Sequence, residues 1–153
     1  MTILTSDRNT EYSLGDLLSV PVAASTRIFA GSLVCVNAGG FAVPAADAAG
    51  LLFAGVATAR ADNRTGGNGA LSVVVRRRGR FRLNSASVLD QSALGARACA
   101  ADDQTVAVAD HTTYDVAVGV IDKVESADSA WVSIDAAVLA GRTWSAPTTT
   151  AGS

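Results

Sequence analysis

Apolar and polar side chains along much of this chain alternate with a period of two, over runs too short for helices. Such alternation sends successive side chains to opposite faces of a strand. From Ile28 the pattern is clearest. Residues 33–36 are an apolar run, 37–40 (Asn-Ala-Gly-Gly) are a turn signal, and 41–43 can pair back as a hairpin. Residues 45–50 are a connection of small side chains, and 52–59 form a second apolar run. Residues 64–69, rich in glycine, read as an exposed loop. Strand-like runs resume at 96–101, 105–109, 116–124 and 131–134, with Asp102-Asp103 as the turn between the first two.

The longest alternating stretch is 71–83, read as one strand. Its outward parity carries Val74, Arg76, Arg78, Arg80 and Arg82, so four arginines share a face, and Gly79 marks a bulge or bend. Residues 85–94 are the best helix candidate. Ser85 or Ser87 would cap it, Val88, Leu89 and Leu94 give a partial apolar stripe, and Gly95 would end it. Residues 135–141 suit one or two further helical turns. Residues 1–27 mix short apolar pieces with polar turns and read as an extended N-terminal arm. A β domain follows over 28–142, and then a loose tail over 143–153 whose start Trp144 would anchor. The predicted fold is all-β: a small β-barrel or β-sandwich with an arm and one short helix.

A shift of 64 residues aligns Gly31 with Gly95, Cys35 with Cys99, Ala45 with Ala109, Gly55 with Gly119 and Val56 with Val120. The units, about 30–59 and 94–123, share the order strand, turn, strand, connection, Gly-Val strand. Either the chain contains a duplicated β unit or a composition poor in residue types produced the matches.

Composition narrows the options. Hydrophobic residues make up 49% and charged residues 17%, enough apolar material for a core. Aromatics are only 5%, so few large groups are left to line a pocket. The net charge of -2 gives no global basic field for nucleic acid or an anionic membrane. Lys123 is the only lysine; the arginines fit either fixed bidentate contacts or a GC-rich genome. The N-terminus lacks the basic start and apolar stretch of a signal peptide, and no run could span a bilayer. Synthesis in a cytoplasm and a soluble product are expected.

Candidate chemistry is sparse. His111 is the only histidine and sits in a polar stretch, with no Ser in a GxSxG elbow, so a surface-loop role outweighs a hydrolytic one. Cys35 and Cys99 lie in separate apolar runs and read as buried free thiols. One His and two separated Cys do not make a zinc set. Residues 66–69 are glycine-rich, but no Lys-Ser/Thr follows, so they are not a phosphate loop. No catalytic residue, metal or cofactor is expected. The arginine row is the one pointed feature. Its charge must be offset by carboxylates on neighbouring strands, by solvent, by a protein partner or, least of all, by nucleic acid, for which stacking aromatics are missing.

Several stretches, in order, resemble the capsid decoration (cement) proteins of tailed bacteriophages. They are residues 28–34 (IFAGSLV), 39–45 (GGFAVPA), 55–57 (GVA), 75–81 (VRRRGRF), 100–106 (AADDQTV), 119–121 (GVI) and 131–135 (WVSID). The resemblance spans about 20–135. It implies a compact β body on the outer surface of a virion, partnered by the major capsid protein and by further copies of itself, as a homotrimer or else a dimer. It implies neither nucleic acid nor membrane as a partner. No interface residue carries over by motif. From the chain itself, the candidates are Ile3, Leu4, Tyr12 and Leu14 of the arm, the row Arg76, Arg78, Arg80 and Arg82, and Trp144.

Overall fold

The computed structural model describes residues 2–135, and its regular secondary structure is almost wholly β-strand. In chain order the first seven are Leu17–Pro21 (β1), Thr26–Ile28 (β2), Leu33–Val36 (β3), Ala42–Pro44 (β4), Leu52–Ala57 (β5), Ala61–Asn63 (β6) and Ser72–Arg76 (β7). Five more follow: Arg78–Ser85 (β8), Arg97–Ala100 (β9), Thr105–Val108 (β10), Ala117–Ser126 (β11) and Ser129–Asp135 (β12). The first group forms a sheet in the order β1-β7-β5-β3-β4, flanked by the pair β2-β6. The second closes into a barrel in the order β10-β8-β12-β11-β9. The all-β expectation holds, and of the two architectures it allowed, the barrel is present.

The two halves share one plan. With β2 and β6 set aside, each takes five strands in chain order and arranges them first, fifth, fourth, second, third. Registers agree as well. β3 meets β4 through Val34–Pro44, Cys35–Val43 and Val36–Ala42; β9 meets β10 through Ala98–Val108, Cys99–Ala107 and Ala100–Val106. Each pair of numbers differs by the 64 residues found in the sequence. The irregularity between β3 and β5, where Val34–Gly55 is followed by Cys35–Phe53, recurs as Ala98–Gly119 followed by Cys99–Ala117. The likeness extends beyond the units seen in the sequence, since β1 on β7 corresponds to β8 on β12.

Closure is where the halves differ. In the barrel, β10 and β8 run parallel through Thr105–Asn84 and Val106–Ser85. In the first half a single parallel bridge, Val22–Ala42, stands at the second of these places. Pro21, which has no N–H, occupies the position of Asn84. The first sheet therefore curls toward a barrel but leaves its seam open.

Two apolar clusters hold the halves. Val20, Val22, Val34, Ala42, Ala54, Val73 and Val75 fill the inside of the first sheet, with Ile28 and Ala61 of the β2-β6 pair. The second cluster joins the barrel interior (Leu83, Ala98, Val106, Val118, Ala130, Val132) to the outer face of the first sheet (Leu33, Cys35, Phe53, Val56). β5 is buried on both faces for this reason. Its run of small and apolar residues reflects a central strand between two packed layers. Hydrogen bonds add to the joint: Leu33 N–H donates to Asp103 C=O at 2.7 Å, and the Asp47 carboxylate accepts from the backbone N–H groups of Thr113 and Tyr114, both at 2.8 Å.

Three expectations need correction. The stretch 71–83 is two strands, because at Arg77 the chain leaves the first sheet and enters the barrel; the Arg77 N–H bond to Asp16 C=O, in register with the β1–β7 ladder, is the last it makes to that sheet. Residues 85–94 are not a helix. Ser85 ends β8, and only Gln91–Ala93 make a 3-10 turn, capped by Asp90. Of the proposed stripe only Leu89 is buried, while Val88 is 89% exposed, so no apolar face repays helix formation. Ser85 and Ser87 spend their hydroxyls locally: Ser85 donates to Ser87 C=O, and Ser87 accepts from Val108 N–H. The arm is shorter than 1–27, because Val20, Val22 and Ala23 are buried and β1 is paired. It comprises the residues before β1. Trp144, the tail and most of the second expected helical segment lie outside the described residues.

Candidate functional site

The arginine face begins with the break at Arg77. Arg76 belongs to the first sheet, while Arg78, Arg80 and Arg82 project from one face of β8 in the barrel. All four are exposed, as the alternation requires, but two different sheets carry them.

Much of the row is neutralised from within. Arg80 grips Asp122 with a two-pronged contact, Nε to Oδ2 at 2.6 Å and Nη2 to Oδ1 at 2.8 Å. Such forked pairs fix geometry as well as charge. Asp122 reaches Arg80 because β11 slips register against β12 between Ile121 and Lys123. The Arg80 guanidinium also sits over the Trp131 ring, 5.3 Å from its centre. Trp131 Nε1 donates to Glu125 at 2.8 Å, and Lys123 pairs with the same carboxylate at 3.1 Å. The hydrogen bond from Arg80 holds the Asp122 carboxyl below its usual range, and Lys123, then Trp131, lower Glu125. Arg78 lies 3.9 Å from both Asp16 and Asp135. Arg76 and Arg82 make no ion pair among the described residues, and the charge of Arg82 helps to lower Glu125.

The second feature is the arm. Ile3, Leu4, Tyr12 and Leu14 are 70% to 88% exposed, and Leu17 and Leu18 at the start of β1 are also exposed. These large apolar side chains stand in water on both sides of the polar stretch 5–11. The arm and the arginine row meet at one place, because Asp16, at the arm's root, faces Arg78. Trp144 is not among the described residues.

The remaining candidates lie elsewhere. His111 is exposed, and its backbone N–H bonds Val108 C=O at 3.1 Å. No serine or carboxylate contacts its ring among the described residues. Cys35 and Cys99 are free and fully buried, at equivalent places in the two halves. Burial pushes the Cys35 thiol up to about 12 and raises Cys99 as well. Asp102 shapes its turn by accepting from Gln104 N–H at 2.9 Å. No grouping of three or more His, Cys, Asp or Glu side chains among the described residues could hold a metal ion.

Sequence reasoning missed two elements. One is Arg77, half-buried between the two halves, whose Nε has no hydrogen-bond partner among the described residues. The other is Asn63, fully buried, which donates to Ala23 C=O and Gly67 C=O at 2.9 Å each and holds the glycine loop to the first sheet. Asn63 sits between a charged residue and the expected loop, so periodicity gave no sign of its burial. The chain matches no protein-family model, no curated protein and no solved structure.

Proposed function

We propose that this chain is a decoration protein of a tailed-phage capsid, which binds the outer surface of the head and stabilises the expanded shell through many repeated protein contacts. One observation carries the reading: an exposed apolar arm is rooted beside a row of arginines on a stiff double β body. The order of short motifs shared with that family supports it. The major capsid protein is the main partner and further copies of the chain the second, as a homotrimer or a dimer. The body's small side chains pack into two clusters, which gives the rigidity a clamp needs. Weak contacts repeated by capsid symmetry sum to firm attachment through effective concentration.

Arg76 and Arg82 are the arginines to reverse, because Arg80 already serves Asp122. The full chain should co-sediment with expanded empty capsids, and the Arg76→Glu, Arg82→Glu double variant should bind about tenfold more weakly or worse. A wild-type chain that stays in the supernatant would overturn the reading and favour a tail or baseplate module. His111→Ala should leave capsid binding unchanged.

A further inference from the structure

The first half has a place that the described residues leave open and whose counterpart in the barrel is filled. In the barrel, Phe81 stands opposite Val132, half-buried against the core. The matching position in the first sheet is Leu18, opposite Val75, and it is 40% exposed. Beside it lies a pocket of about 370 Å³, lined by Leu18, Val20, Val36, Leu52, Phe53 and Arg77 among others. The open seam, with one parallel bridge at Val22–Ala42, and the shorter side chain at Leu18 together leave this mouth unplugged. At its edge Arg77 occupies the place that Ile134, 4% exposed, takes in the barrel. A cation whose Nε lacks a partner among the described residues thus replaces a buried apolar group at the rim of an apolar pocket. The mouth is built for an apolar side chain accompanied by a carboxylate.

The arm has that chemistry. It offers Tyr12 and Leu14 as exposed apolar groups, and Asp7 and Glu11 as carboxylates against the single Arg8. Its own fold leaves Tyr12 and Leu14 in water, 70% exposed or more, although the arm starts beside the mouth. An extended segment of this length reaches about 50 Å, far enough to meet a neighbouring subunit. We infer that the mouth of the first sheet receives the arm of a second copy of this chain. An apolar arm side chain, Tyr12 or Leu14, takes the position that Phe81 takes in the barrel, and an arm carboxylate meets Arg77. Each copy gives an arm and receives one, a head-to-tail contact that closes into a ring when the rotation permits. This deepens the self-association in the proposal above, and it is tested apart from capsid binding.

Sedimentation equilibrium on the full chain reads the outcome. Wild type should associate. Leu18→Phe, which supplies the missing plug, and the double variant Tyr12→Asp, Leu14→Asp, which spoils the arm, should each weaken self-association about tenfold or more. The arm variant alters no packed contact, so it reports even if Leu18→Phe folds poorly. Mixing the two variants is the decisive step: the intact arm of Leu18→Phe should enter the intact mouth of the arm variant and give a one-to-one complex. A monomeric wild type, variants that associate as wild type does, or a mixture that stays monomeric would each overturn the inference. So would an arm variant that loses only capsid co-sedimentation, because the arm's receptor would then be the shell. Loss of self-association with capsid binding retained supports the inference.

Discussion

Gly55 and Gly119 occupy the same point in the two halves of the chain, each at a register slip and each pressed against a carbonyl oxygen of the next strand. Gly55 pairs with Val34 in β3 and Gly119 with Ala98 in β9. A methyl group on Gly55 would lie 2.5 Å from the Arg76 oxygen, and one on Gly119 would overlap the oxygen of Ser133. Gly55 also has φ of 147°, which side chains rarely adopt. The slip brings two backbones too close for any Cβ.

Gly55→Ala and Gly119→Ala should therefore each destabilise the fold by about 1–3 kcal/mol or more, the cost of forcing a group into filled space. Equilibrium urea denaturation checks this. The expected result is a lower midpoint at unchanged slope. A midpoint like the wild type's at either position would show that the backbone relaxes there.

The Arg80–Asp122 fork makes stability depend on acid in a definite direction. The hydrogen bond from Arg80 lowers the Asp122 pKa in the folded chain. A carboxyl lowered on folding stabilises above its unfolded value, about 3.9, and that contribution is lost as pH falls through the folded value. Asp122→Asn should be less stable than wild type at neutral pH. The gap should narrow as pH drops below about 4. Both side chains are exposed, so the effect is small, and added salt should shrink it further. Urea midpoints across pH, at two salt concentrations, measure it.

The thiols should be silent in the folded protein. Cys35 and Cys99 are fully buried, and burial lifts Cys35 to about 12, so almost no thiolate exists at neutral pH. Alkylation should follow unfolding, with both sites protected in buffer and both modified in urea. Mass spectrometry after timed labelling reads this; rapid modification of either cysteine in buffer would contradict the packing described here.

Much of the first half was readable in advance because its signals are local. The run 33–36, the Asn37 turn and the strand from Leu52 follow from alternation and turn chemistry, and the strands formed where expected. The turn is held by its own residues, with Asn37 Oδ1 accepting from the N–H groups of Gly39 and Phe41. The arginine face was readable for the same reason, since parity alone places Arg78, Arg80 and Arg82 together. Its neutralisation was not, because Asp122 lies 42 positions away and reaches Arg80 only through a register slip. Nor was the break at Arg77, where 71–83 keeps one unbroken alternation while serving two sheets.

Short-range order thus came from the chain alone: a period of two, small side chains and glycine turns commit it to strands, and a 64-residue echo hints that one unit is used twice. Long-range pairing decided the rest. Whether a seam closes depends on which strands lie side by side, so Phe81 seals one half while Leu18 and Pro21 leave the other open, a difference between residues that carry no mark of it in sequence. Side-chain parity is a property of neighbouring residues, whereas closure and charge pairing belong to residues that meet only after folding.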